Sequence, residues 1–150
     1  IALLSVKFGI STIFPVLVGI MINYIFMYFT RIPFDIVTIG FSAITIGAGV
    51  DDALHFNIRY RQLMKTNPNL SAIELVRNNL NQTGRPIILT TLSVDFGLMM
   101  LLFASFTPIR YFGILMCVSL TSAMIATLFL LPALLILEDK IKHLFKKKLL

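Results

Sequence analysis

Tyr111 to Leu137 reads YFGILMCVSLTSAMIATLFLLPALLIL, a run without one charged side chain. As a helix rising 1.5 Å per residue it would extend roughly 40 Å, enough to cross the ~30 Å hydrocarbon layer of a bilayer. Three more apolar stretches, Phe8 to Phe29, Phe34 to Ile58 and Pro86 to Phe106, are each long enough to do the same. The whole chain of 150 residues is 57% hydrophobic and 13% charged, with a mean hydropathy of +0.90. Soluble domains carry about a quarter charged residues, so a water-soluble fold is excluded. The expected fold is all-α: an integral membrane helical bundle of four transmembrane helices, 8–29, 34–58, 86–106 and 111–137, plus a short cytoplasmic amphipathic helix.

Charge sets the expected orientation. The net charge of +6 is not spread as a nucleic-acid surface would be, and nucleic acid is not an expected partner. Lys7, the 59–85 segment with Arg59, Arg61, Lys65, Arg77 and Arg85, and the tail with Lys140, Lys142, Lys146, Lys147 and Lys148 fall on one side of a four-span arrangement. Arg31 and Arg110 fall on the other. The positive-inside rule then puts the 59–85 loop and the basic 138–150 tail in the cytoplasm, in a cell inner (plasma) membrane. The tail is expected to lie against anionic membrane lipids. Cys117 falls within a span, so disulfides have no part here. Ile1 to Val6 reads as the end of an earlier apolar helix, and residues 1–150 are expected to be the C-terminal transmembrane portion of something longer.

Between the spans, Thr30-Arg31-Ile32-Pro33 with Asp35 predicts a tight hairpin. Gly40, Ser42, Ala43, Thr45, Gly47, Ala48 and Gly49 form a run of small residues that permits close helix approach in lipid. Ser71-Ala72-Ile73-Glu74 matches a capping box, and Ile73, Val76 and Leu80 are expected along one face of the amphipathic helix before Gly84. The third span is expected to open at Arg85-Pro86.

The chemistry concentrates in Gly47-Ala48-Gly49-Val50-Asp51-Asp52-Ala53-Leu54-His55. Adjacent carboxylates in a spanning helix are costly and therefore functional by default. Counted inward from Ile58, Asp51 lies roughly 10 Å deep, and counted from Pro86, Asp95 lies roughly 13 Å deep, so the two are expected to meet. Asp51 and His55, four apart, share a face; Asp52 is turned about 100° toward a different neighbour. With His55 as the cation at that depth, three acids outnumber one base, and such a set exchanges protons as a unit. Asp51, Asp52, His55 and Asp95 are the expected proton relay, supported by the hydroxyls of Thr90, Thr91, Ser93, Ser119 and Ser122. Packing by hydrogen bonds alone is the plainer reading of these acids, but neutral residues would do that at lower cost. Asn23 and Asp35 read as structural. Metal ligation by Asp51, Asp52 and His55 would give only a weak, unclosed site, and no cofactor is implied.

Gly-Ala-Gly-Val-Asp51-Asp52-Ala-Leu-His55-Phe followed by Arg59-Tyr60-Arg61 resembles the fourth-helix motif of MMPL-type exporters of the resistance-nodulation-division superfamily. Thr90-Thr91-Leu92-Ser93-Val94-Asp95-Phe96-Gly97 and Phe106-Thr107-Pro108-Ile109-Arg110-Tyr111-Phe112-Gly113 resemble that family's fifth span and its turn into the sixth. Leu131-Pro132-Ala133-Leu134-Leu135 resembles its closing motif. The resemblance implies a proton antiporter with two six-helix repeats and extracytoplasmic domains, extruding lipids or hydrophobic small molecules. It places Asp51 and Asp52 at the proton-relay pair, where many members have Asp-Tyr. The N-terminal repeat and the extracytoplasmic domains would then be partners outside this chain. Asp95 falls where many members carry a small or hydroxyl residue, so its role rests on the physical argument.

Two other classes stay open at this point. The related sterol-sensing domains share these helices, so a lipid sensor without active transport is the alternative. Gly47-Ala48-Gly49-Val50-Asp51 is similar to the Gly-x-Gly-Asp of intramembrane aspartyl proteases, but the spacing fails by one residue, and the chain is expected not to be an enzyme.

Overall fold

The computed structural model describes the backbone of residues 2–33 and 35–148, and the side chains of residues 11–33, 35–36, 40, 44, 46–47 and 49–141. Among the described residues the fold is all-helical, without a strand. In a medium that offers the backbone no hydrogen-bonding partners, uninterrupted helices satisfy each N–H and C=O internally. Helix α1 spans Ala2–Thr30, α2 Ile36–Thr66, α3 Ala72–Asn79, α4 Arg85–Met99 and α5 Thr107–Lys148.

The α1–α2 hairpin is as tight as expected. The Ile32 N–H donates to Met27 O at 3.2 Å, and Arg31 sits at φ 54°, so the helix closes on a left-handed residue. Glycine commonly takes that place, and an arginine there carries steric strain of about 1 kcal/mol.

The 59–85 segment differs from the expected loop. Helix α2 continues past Ile58 to Thr66, and α3 joins α4 through a π-helical turn, Leu80–Gly84, with a 3-10 turn, Met100–Phe103, closing the run. Residues 72–103 are thus nearly one helical rod rather than a surface helix followed by a separate span. Pro86 explains the turn: it has no N–H for the carbonyl four residues back, and its ring crowds that carbonyl. A wider turn immediately before it absorbs both defects. The Ser71/Glu74 capping box forms as read, with Ser71 N–H donating to Glu74 Oε2 at 2.9 Å and Glu74 N–H to Ser71 Oγ at 3.4 Å. Its buried face holds Val76 and, partly, Leu80 as expected, but adds Leu75 and Asn79 while Ile73 is 63% exposed. Asn79 decides this, because its fully buried amide donates to Phe56 O on α2 at 3.0 Å.

Helix α5 packs against α1, α2, α3 and α4. One core joins Phe56, Leu75, Val76, Ile87, Met124 and Leu131; another joins Met27, Leu115, Met116 and Leu120. The helices touch closely at glycines. A Cβ on Gly113 would fall 2.9 Å from Leu101 Cβ and 3.0 Å from Leu98 O, and one on Gly19 3.1 Å from Ala123 Cβ. The small residues of α2 contribute less than expected: Gly49 abuts Val16, whereas Gly40 and Gly47 have nothing within 4 Å. The side chains of Ser42, Ala43, Thr45 and Ala48 lie outside the described residues, as do those of Lys7, Lys142, Lys146, Lys147 and Lys148.

Three helical runs are long and apolar enough to cross a membrane among the described residues: Ser11–Thr30, Ala72–Phe103 and Thr107–Ile141. In the fourth expected span, 34–58, the side chains of nine of the 25 residues lie outside the described set. Tyr28, Phe29, Phe103 and Phe129 are 74 to 84% exposed, an outer surface suited to lipid tails rather than water. The tail expected from residue 138 onward is helical, since α5 continues unbroken through Lys148. There Glu138 and Asp139 act on Tyr60 of α2, whose phenol is pushed up by burial first and by these two carboxylates second.

Candidate functional site

Asp51, Asp52 and His55 lie near the middle of α2, where the chain has just left its glycine-rich stretch. The 100° step between neighbours on a helix separates the two acids. Asp51 lies 3.5 Å from His55 Nε2 through Oδ1, one helical turn apart, and both side chains are open, 72% and 70% exposed. Asp52 is turned toward α4, where the Thr91 hydroxyl donates to its Oδ2 at 3.3 Å. Each acid therefore has the neighbour its register predicts.

A cavity of about 250 Å³ brings these groups together, lined by Asp51, Asp52, His55, Thr90, Thr91, Val94 and Leu120. A second, of about 430 Å³, shares Asp52, His55 and Thr90 and extends along α2 and the π turn to Arg59, Gln62, Gln82 and Thr83. The shared residues make the two adjoining parts of one cleft between α2 and the 80–94 stretch. Carboxylates, an imidazole and hydroxyls along one wall can accept, hold and pass a proton by short steps.

Asp95 stands apart from this cluster. It follows Thr91 by one turn of α4, but it is 5% exposed and faces α5, where the Thr121 hydroxyl donates to its Oδ2 at 2.6 Å. The Cys117 thiol donates to the Asp95 backbone carbonyl at 3.6 Å. The expected meeting of Asp51 with Asp95 is replaced by two contacts one turn apart along α4, Thr91 with Asp52 of α2 and Asp95 with Thr121 of α5. Equal depth brought neither to the other, because the neighbour met at Thr91 is Asp52 of α2, while one turn further along α4 the neighbour met at Asp95 is Thr121 of α5.

The supporting hydroxyls divide in the same way. Thr91 contacts an acid directly, and Thr90 lines the cleft while donating to the carbonyls of Pro86 and Ile87. Ser93 donates to Leu89 O and Ser122 to Val118 O, each along its own helix. Ser119 is fully buried in α5. The residues missed in the sequence are Thr121, Gln62 and Gln82. Thr121 is one hydroxyl among several on α5, and nothing in the linear order marks it as the partner of Asp95. Gln82 is placed by the π turn, which only Pro86 foreshadows.

Structural polar contacts surround the site. Asn23, fully buried, donates from Nδ2 to Leu115 O at 2.7 Å and ties α1 to α5. Asn57 donates from Nδ2 to Ser11 Oγ at 3.3 Å and ties α2 to α1. On the far side of α5, an apolar groove of about 750 Å³ runs between α1 and α5, walled by Val18, Ile22, Ile125 and Phe129 with Cys117, Thr121 and Ser122 along it.

Comparison with known proteins agrees with the helical membrane architecture. A family model described as MMPL family matches residues 1–148. A protein of Methanocaldococcus jannaschii, whose name proposes membrane residence and nothing more, is 28% identical over 133 residues. That match covers 88% of this chain and 34% of the relative, so the chain spans about a third of that protein's length.

Proposed function

We propose, because this chain belongs to the MMPL family, that it forms part of a proton-motive-force-driven membrane transporter of the resistance-nodulation-division type. The observation that carries the proposal is the cleft in which Asp51, paired with His55 at 3.5 Å, and Asp52, held by Thr91 at 3.3 Å, stand side by side on α2. Two carboxylates with separate partners in one cleft provide two proton-holding positions with an imidazole between them and the polar mouth. Protonation changes which hydrogen bonds the pair can make, and α2 and α4 are thereby coupled to the proton's presence.

In this reading the chain crosses the membrane four times, with the 59–85 stretch and the C-terminal end of α5 in the cytoplasm of a cell whose inner membrane holds it. Asp95 with Thr121 forms a second proton-holding point at the α4–α5 contact. The exported substrate is a lipid or hydrophobic small molecule, and the extracytoplasmic domains and the other helical repeat are the remaining parts of the machine. A sensor of membrane lipid is the second reading, favoured by the apolar groove between α1 and α5.

The deciding experiment reconstitutes the full-length gene product in proteoliposomes and follows proton flux under an imposed pH gradient, comparing wild type with Asp51→Asn plus Asp52→Asn. Flux that disappears in the variant supports the relay. Equal flux in both, with a hydrophobic substrate present, overturns it and moves lipid sensing ahead.

A further inference from the structure

Arg59 stands at the polar mouth of the cleft, and its partners among the described residues are two neutral amides. Its Nε and Nη2 donate to Gln82 Oε1 at 2.9 and 2.6 Å, and its Nη1 donates to Gln62 Oε1 at 3.0 Å. Neither glutamine neutralises the charge; both fix the plane of the guanidinium. Of its five N–H groups three are engaged, and one remains on each terminal nitrogen. A terminal pair of this kind engages a phosphate through two parallel hydrogen bonds.

Position and lining narrow the ligand. From Ile36, where α2 begins, to Arg59 the helix rises roughly 35 Å, slightly more than the ~30 Å hydrocarbon layer. The guanidinium therefore reaches the cytoplasmic headgroup layer, a placement that rests on the four-span topology proposed above. The cavity there, about 430 Å³, joins the polar set Arg59, Gln62, Gln82 and Thr83 to an apolar wall of Ile58, Pro86 and Ile87. Asp52, the one carboxylate of that cavity, lies two helical turns deeper, roughly 10 Å along α2, and is held by Thr91. An anion at the mouth thus meets the cation first.

The geometry points to a binding site for a phosphate group at the mouth of this cleft, with Arg59 as its cation, Gln62 and Gln82 as the residues that orient it, and Ile58, Pro86 and Ile87 as the surface for apolar carbon attached to the phosphate. A phospholipid headgroup and a soluble phosphate share this chemistry. The apolar wall favours the lipid.

The test uses the full-length gene product in detergent, mixed with equal amounts of phosphatidylglycerol and the phosphate-free lipid diacylglycerol, with retained lipid measured by native mass spectrometry. Wild type is expected to retain phosphatidylglycerol, and Arg59→Gln to need about tenfold more lipid for the same retention, the effect of losing one charge-assisted bidentate contact. Gln82→Leu keeps the charge and removes the clamp, so it weakens retention about threefold; Arg59→Lys, which lacks the fork, falls between wild type and Arg59→Gln. Gel filtration and circular dichroism select variants that remain folded. Inorganic phosphate that fails to compete identifies the lipid as the source, and inorganic phosphate that competes identifies soluble phosphate; both support the site. Equal retention of phosphatidylglycerol by wild type, folded Arg59→Gln and folded Gln82→Leu overturns it. The measurement uses no proton gradient, so its failure leaves the relay standing, and failure of the relay leaves this site to be judged alone.

Discussion

Adding one methyl group at two glycines should have opposite effects. Gly97, on α4, has nothing within 4 Å of the position a Cβ would take. Gly97→Ala therefore gains helix propensity, up to about 1 kcal/mol, with no packing penalty. Gly113, on α5, would place its Cβ 2.9 Å from Leu101 Cβ and 3.0 Å from Leu98 O. Neither neighbour is the far end of a flexible side chain; one is anchored at its own backbone and the other is backbone. The same propensity gain is then opposed by overpacking of about 1–3 kcal/mol, and α5 must move off the 3-10 turn. Gly113→Ala is expected to be less stable than Gly97→Ala by about 1–3 kcal/mol. The assay is unfolding of the purified protein in mixed micelles by dodecyl sulfate, followed by circular dichroism. A Gly113→Ala variant at least as stable as Gly97→Ala would refute the close approach of α5 to residues 98–101.

Other outcomes follow from single contacts. Arg31→Gly should stabilise the α1–α2 hairpin by up to about 1 kcal/mol by relieving the left-handed backbone, read as a higher unfolding midpoint in the same titration. Thr121→Val should cost about 1–3 kcal/mol by leaving buried Asp95 without its donor, whereas Thr121→Val with Asp95→Leu should recover most of that loss; equal midpoints for wild type and Thr121→Val would remove the bond from consideration. Asn23→Leu should lower stability by about 1 kcal/mol through loss of the contact with Leu115 O, a typical size for an interhelical hydrogen bond in a membrane, and an unchanged midpoint would show that α1 and α5 are held by apolar packing alone. Ser71→Ala should lose the helix cap of α3, about 1 kcal/mol, visible as faster amide hydrogen exchange over 72–76 with the rest of the chain unaffected.

The linear order of residues was enough for the helical class, because a run such as 111–137 has no other way to satisfy its backbone in lipid. It was also enough to turn Asp51 and Asp52 toward different neighbours, since that follows from the 100° helical step alone. The capping box at Ser71 was equally local and equally legible. Failures began where one helix meets another. Depth along a span is one coordinate, and equal depth put Asp51 and Asp95 together on paper; the packing of α4 between α2 and α5 gave Thr91 to Asp52 and Asp95 to Thr121 instead. Ile73 appeared to belong to the apolar face of α3 until the Asn79 amide, bonded to Phe56 O, fixed which face turned inward. Pro86 was read as the start of a helix, and α4 does begin at Arg85 with Pro86 in its first turn; what the linear order did not show is the π turn before it, which lets the helical run continue and brings Gln82 onto Arg59. Sequence alone determined what the helices are made of and where the acidic, histidine and hydroxyl residues fall along them. Tertiary structure decided which of those residues meet, because helix rotation and close approach are settled by side-chain volumes on neighbouring helices that periodicity does not record.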